Sequence, residues 1–264
     1  MHILVCLKYI PDPEAPWVQY MVDGTAHCVT AMPGVRWLVS PFDEQALEVA
    51  LRIREAVGAG RITVLTMGPE PFRGAIKHGL AMGADDGVHL CDPVFEAGDV
   101  WTTARVISAA LRKLETPDLV LTGRQAADWD NGVVGSAIAE LMDWPVVSYA
   151  AHVMIQPGAV QVTRVVEDGV DTVWAPLPAV VTVSNEVGKP RIPSLRETMR
   201  AARKPTLVWR FDDLELTQAD LVTRRRYRSL NEPQSGVVCE YLGGATVHEQ
   251  AEALVQRLRT AQLI

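Results

Sequence analysis

Residues 123–136 read GRQAADWDNGVVGS. Asp128, Asp130 and Asn131 stand among glycines, directly before an apolar helical pattern that opens at about Val133 or Gly135. Two chemistries meet here. Free backbone N–H groups at a helix start bind anions, and Gly132 and Gly135 let a phosphate approach the backbone. A carboxylate beside a phosphate repels it, so Asp128 and Asp130 suit a different task, accepting hydrogen bonds from ribose hydroxyls. The plain alternative makes Asp130 or Asn131 only the N-cap of the helix. Neither reading needs a catalytic acid, base or nucleophile.

Other chemistries find no motif. No GxGxxG follows the first apolar run, and GxxxxGK[ST] and GxSxG are missing, which weakens a dehydrogenase, NTPase or hydrolase reading. Cys6, Cys28, Cys91 and Cys239 are scattered without a CxxC pair, and the six histidines lack HExxH spacing, so no residue is assigned to a metal. Cys6 reads as a small core residue, and Met67 and Phe42 as core before pocket wall. Arg196, Arg200, Arg203 and Lys204 form the most basic patch of a chain whose net charge is −7. A solvated helix face is the default for such a patch, and a docking surface for an acidic partner the alternative. The acidic balance argues against nucleic acid. No run approaches the roughly 20 apolar residues of a membrane span. The N-terminal MHILVCLKYIPDP lacks the pattern of a secretory signal, so a cytoplasmic location is expected.

The elements that must hold these residues alternate. Residues 2–10 read as a buried strand, and 12–39 as a long loop or a small hairpin. Residues 40–58 read as a helix with Ser40 as N-cap, Pro41 in its first turn, and Asp43 and Glu44 favouring the dipole. Strands at 61–69, 86–92 and 117–123 alternate with helices at 71–84 and 99–114 and with the helix after Val133. Four such alternations predict an α/β fold, a mostly parallel doubly wound sheet with ligands beyond the carboxyl ends of its strands. Pro157-Gly158 marks a β-hairpin between 146–155 and 159–168, and 172–185 supplies a further strand. Residues 193–205 read as a short basic helix. After Trp209 a polar stretch, expected to wrap the main domain or reach a partner, leads to a final helix at 245–264. The division is thus a domain of residues 1–209 and a C-terminal arm of residues 210–264.

Four ordered stretches resemble one family. ILVCLKYIPD, SPFDEQALEVALRIRE, LTMGPEPFRGAIKHGLAMGADDGVHL and LVLTGRQAADWDNGVVGSAIAELMDWP are similar to segments of the electron transfer flavoprotein (ETF) beta subunits, nitrogen-fixation-associated relatives included. VTRVVEDGVDTVWAPLPAVVTV (162–183), with Arg164 and Asp168-Gly169, resembles the family signature, and EVGKPRIPSLRETMRAARK (186–204) its recognition loop. Ser40 replaces a usual Asn, and Asp171 a usual Glu or Gln. The resemblance implies a Rossmann-like, adenine-nucleotide-binding fold with a β-hairpin addition and an arm packing on an alpha subunit that holds most of the redox FAD. It implies electron transfer between a dehydrogenase, of acyl-CoA or similar type, and a downstream acceptor. The chain is then an electron-carrier subunit rather than a catalyst by itself.

By position, the resemblance puts a nucleotide on Cys6, Ser40, Pro41, Phe42, Met67, Asp128, Trp129, Asp130, Asn131, Gly132, Val133, Val134, Gly135, Ser136 and Ala139. Phe42 also approaches the alpha subunit's flavin. Leu195 matches the leucine that anchors the partner dehydrogenase, with Met199 and Arg200 beside it. The nucleotide is read as AMP. The alternative is a second FAD, as in electron-bifurcating members, which would add flavin-dependent oxidoreductase activity. DWDNGVVG differs from both patterns: Val134-Gly135 resembles the bifurcating one, while Trp129 stands where that pattern has Gly. LRETM departs from the usual recognition sequence and points to a dedicated dehydrogenase partner. A stand-alone nucleotide-binding regulator and a nucleotide-hydrolysing or transferring enzyme are the readings of other classes.

Overall fold

β1 (His2–Cys6) is apolar on both faces, as a strand covered on both sides must be. Ile3 and Val5 enter one core and Leu4 the other. The architecture is a computed structural model that describes residues 1–232 and 239–264. Residues 233–238, part of the expected arm, lie outside the described residues.

The chain continues through β2 (Tyr9–Pro11), β3 (Tyr20–Asp23), β4 (Cys28–Ala31), β5 (Trp37–Val39) and α1 (Pro41–Val57). Next come β6 (Arg61–Met67), α2 (Arg73–Met82), β7 (Asp86–Leu90), α3 (Val100–Lys113), β8 (Leu119–Gly123) and α4 (Val134–Met142). Then follow β9 (Val146–Gln156), β10 (Ala159–Val166), β11 (Gly169–Pro176), β12 (Ala179–Val183), α5 (Leu195–Ala201), β13 (Thr206–Trp209) and α6 (Val247–Thr260). The main sheet has nine strands in the order β11-β10-β9-β12-β8-β1-β6-β7-β13. Neighbours from β9 to β13 are all parallel, and β10 and β11 add antiparallel at one edge. The expected α/β, mostly parallel, doubly wound class is what the chain adopts. α1 and α2 cover one face, α3 and α4 the other. In α1 the stripe Ala46, Leu47, Ala50 and Leu51 is fully buried, each leucine contributing about 2 kcal/mol.

Three local expectations change. The run 2–10 is two strands. After Cys6 the chain leaves the sheet, the Lys8 N–H turning to the Asp43 carboxylate, and β2 pairs antiparallel with β5. Tyr9, Trp37 and Phe72 pack ring to ring over that ribbon, and β3 pairs with β4, so residues 12–39 hold small ribbons. The stretch 172–185 is likewise divided, β11 ending at Pro176 and β12 beginning at Ala179. Pro176 and Pro178 have no N–H to extend a ladder. β13, which was not expected, pairs parallel with β7 at the far edge.

Two compact units result, residues 1–21 with 29–228, and residues 22–28 with 229–264. In the first, the polar stretch after Trp209 wraps the domain: Leu214 is buried, and Leu216 and Leu221 pack on the α3–α4 core. In the second, α6 is capped by Thr246, whose hydroxyl accepts from the Glu249 N–H. No helix among the described residues is long and apolar enough to cross a membrane.

Candidate functional site

The sheet reverses its winding between β8 and β1. From β1 the chain crosses over α1 to β6 on one side, and from β8 it crosses over α4 to β9 on the other. A crevice opens at such a point beyond the carboxyl ends of the strands. The ends meeting there are Cys6–Lys8 and Gly123–Gln125.

Asp43 joins them. Its Oδ2 accepts from the Lys8 N–H at 2.8 Å and its Oδ1 from the Gly123 N–H at 2.9 Å. Burial pushes its carboxyl up to about 7, against the lowering effect of those bonds and of Lys8. Gly123 is required at this join: a Cβ would lie 2.6 Å from the Phe42 Cβ and 2.7 Å from Asp43 Oδ1. Ser40 stands at the N-cap position of α1, but its hydroxyl makes no cap bond. It accepts instead from the Ala127 N–H at 3.4 Å, tying the helix start to the 123–136 loop. Asp43 therefore does more than favour a dipole, and Ser40 less than cap a helix.

The loop acids are engaged. Lys8 Nζ donates to both oxygens of Asp128, at 2.9 and 2.6 Å. Asp130, with φ of 49°, accepts from Gln125 Nε2 at 2.7 Å. Asn131 Oδ1 accepts from Arg225 Nη1 at 2.6 Å. Neither Asp130 nor Asn131 caps α4; the N-cap residue is Val133, and no side chain bonds the first turn. The capping-only alternative is therefore set aside for a geometric reason: an N-cap stands directly before the first helical residue, and Val134 is too far along for either. Gly132 takes φ of 64°, and at Gly135 a Cβ would lie 2.7 Å from Thr122 Oγ1 and 2.8 Å from Thr182 Cγ2. α4 thus approaches the β8 and β12 ends closely, with Val134, Gly135 and Ser136 in its first turn and Ala139 buried behind them.

Pro41 and Phe42 open α1 next to this loop, and the Arg124 guanidinium lies 4.8 Å over the Phe42 ring. It also lies 5.9 Å from the ring of Tyr149, whose φ is 61°. Cys6 ends β1, and burial raises its thiol far above the ordinary value, so it is a neutral wall. Trp129 meets Tyr227 at 5.9 Å between ring centroids. Met67, at the end of β6, faces Phe95, Thr102 and Leu221 across a gap too small for a water molecule.

Leu195, Met199 and Arg200 lie on α5, apart from the crevice. Ser194 and Glu197 close a capping box there. Leu195 is 77% and Met199 62% exposed. The preceding loop is clamped to α1: Arg191 pairs with Glu48 at 2.8 Å and Glu55 at 2.6 Å, and Arg52 donates to the Val187 carbonyl.

Asp43, Asp99 and Arg225 are site neighbours that sequence reasoning did not assign. Asp99 was legible as a helix start; its second oxygen, holding the Arg224 and Arg225 N–H groups, was not. Folding also brings Glu70, His89 and Cys91 together, their ligand atoms within 4.8 Å of one another, although no spacing in the sequence joins them. His89 Nε2 bonds the Gly68 carbonyl at 2.9 Å, burial lowers its imidazole, and burial and nearby acids raise the Cys91 thiol, so His89 and Cys91 are read as neutral strand-end packing beside the exposed Glu70.

Residues 28–214 match the electron transfer flavoprotein domain family. The chain is 34% identical to the caffeyl-CoA reductase-Etf complex subunit CarD of Acetobacterium woodii, over the full length of both. It is 34% identical, again over the full length of both, to an electron transfer flavoprotein subunit beta of Thermoanaerobacterium thermosaccharolyticum. Protein FixA of Azotobacter vinelandii is 34% identical over 79% of this chain and 74% of its own length.

Proposed function

Because the chain belongs to the electron transfer flavoprotein family, among its beta subunits, we propose that it works as half of a heterodimer. Its alpha-subunit partner carries the redox FAD, and this chain binds an adenine nucleotide, AMP, in the crevice between the β1 and β8 ends. Electrons pass from a dehydrogenase docked around Leu195 to a downstream acceptor. The observation that supports the nucleotide reading most is the uncapped start of α4 at the switch point, next to acids held in place by Lys8 and Gln125. Backbone N–H groups there suit a phosphate, and Asp128 and Asp130 retain lone pairs for ribose hydroxyls. No side chain of the crevice is asked to act as acid, base or nucleophile; a bound flavin supplies the redox chemistry. This chain positions the nucleotide and presents a docking face on a clamped loop.

A second reading, a second FAD in place of AMP, draws on Val134-Gly135 and on the full-length match to a subunit named for a reductase–Etf complex. Releasing the nucleotides from the purified complex decides between them. AMP with one FAD per heterodimer supports the first reading, and two FAD without AMP the second. A complex with no adenine nucleotide beyond one FAD removes both, and a chain that captures no flavoprotein partner returns the question to a stand-alone regulator.

A further inference from the structure

We propose that Arg225 is a phosphate ligand of this site, carried on a strap formed by residues 222–228. The inference rests on the nucleotide reading above. Asp99 fixes the strap by dividing its two oxygens. Oδ1 caps α3 through the Trp101 and Thr102 N–H groups, and Oδ2 accepts from the Arg224 and Arg225 N–H groups at 2.7 and 2.9 Å. The Arg224 guanidinium then lies 4.4 Å over the Trp101 ring, and Tyr227 meets Trp129. Between them Arg225 reaches Asn131, three residues before the first residue of α4.

Charge makes this position matter. The loop carries Asp128 and Asp130, which repel an anion at the helix start. Lys8, the cation nearest in the crevice wall, is committed to both oxygens of Asp128. Arg124 is held between Phe42 and Tyr149, its Nη1 directed to Ser184. The hydrogen-bond partner of Arg225 is an amide oxygen, and its guanidinium also lies 5.4 Å from the Tyr227 ring; neither contact neutralises its charge. The Arg225 guanidinium therefore keeps its positive charge beside Asn131, three residues before the start of α4. Its planar fork matches phosphate oxygens, and such charge-assisted bonds are strong. The preference follows for a phosphorylated ligand over its nucleoside.

The test uses the full heterodimer, stripped of exchangeable nucleotide, with AMP and adenosine as probes by calorimetry. Arg225→Ala should weaken AMP about tenfold or more and leave adenosine within about twofold. Arg225→Lys should recover part of the AMP affinity, since the charge returns without the fork. Equal AMP affinity in Arg225→Ala and the native complex overturns the proposal. Parallel loss of AMP and adenosine also overturns it, because the strap would then only shape the loop. If the native complex binds neither AMP nor FAD, the nucleotide reading itself falls, a result distinct from the other two.

Discussion

Replacing Asp43 with asparagine tests the joint on which the crevice is built. The carboxyl is buried and ties the Lys8 and Gly123 N–H groups across the gap between strand ends. Its ordinary value of 3.8 rises to about 7, burial being the largest cause. In the unfolded chain it titrates near 4. A raised value means that the native state holds the proton more tightly, so the group's contribution is fully present below pH 4. It is lost as pH climbs through 7, where the folded protein must bury a charge. The full difference amounts to roughly 4 kcal/mol at most. The substituted asparagine does not titrate. Its amide accepts one of the two N–H bonds and presents a donor to the other. The native protein's advantage over Asp43→Asn should therefore be greatest near pH 4 and shrink by a few kcal/mol towards pH 8. Urea unfolding of both proteins at half-unit steps measures it, and the Lys8–Asp128 pair, common to both, cancels. An advantage that stays level from pH 4 to 8, or widens with pH, refutes the account of Asp43 as a carboxyl raised by burial.

Three other substitutions probe neighbouring pieces. Gly135→Ala forces a methyl to within 3 Å of Thr122 and Thr182, so we expect a loss of about 1–3 kcal/mol in urea unfolding and lower nucleotide occupancy in the purified complex. Leu195→Ala should leave stability within about 0.5 kcal/mol, because the side chain is 77% exposed. It should also slow electron transfer from the partner dehydrogenase in stopped-flow assays, with the alpha-subunit FAD retained. Arg191→Ala leaves Glu48, 4% exposed, with Arg52 as its one ion-pair partner beside the retained N–H of residue 191. The partial exposure of Arg191 lowers the expected cost to about 1–3 kcal/mol by thermal melting.

What the sequence made legible follows a physical line. Periodicity located α1 to α4 and the central strands β1, β6, β7 and β8 because their patterns answer to a core covered on both faces. Local turn chemistry located the hairpin at Pro157-Gly158 and the α3 start at Asp99. Four residues, Thr206–Trp209, were too short a run to announce a strand, and only the free edge of β7 makes β13 one. Ser40 shows the opposite failure. It has the type and place of a cap, but its hydroxyl turns to Ala127, 87 residues away, and local rules carry no information about that. Asp43 looked like a favourable charge on a helix end; its two partners lie just after β1 and at the end of β8, so its burial became visible only when those strands met.

The same reasoning resolves the conflict in GRQAADWDNGVVGS. Counted locally, Asp128 and Asp130 make the stretch hostile to a phosphate. The fold imports the compensation. Lys8 comes from 120 residues upstream to take Asp128, and Arg225 from 94 residues downstream to meet Asn131. One cation cancels an acid and the other keeps its charge, so under the proposed nucleotide reading carboxylate oxygens and an anion-binding helix start stand side by side. Local composition misjudges such a site because its charge balance is settled by chain crossovers. A nucleotide, which presents hydroxyls at one end and phosphate at the other, needs that arrangement, whereas an inorganic anion alone would be better served by a loop without the acids.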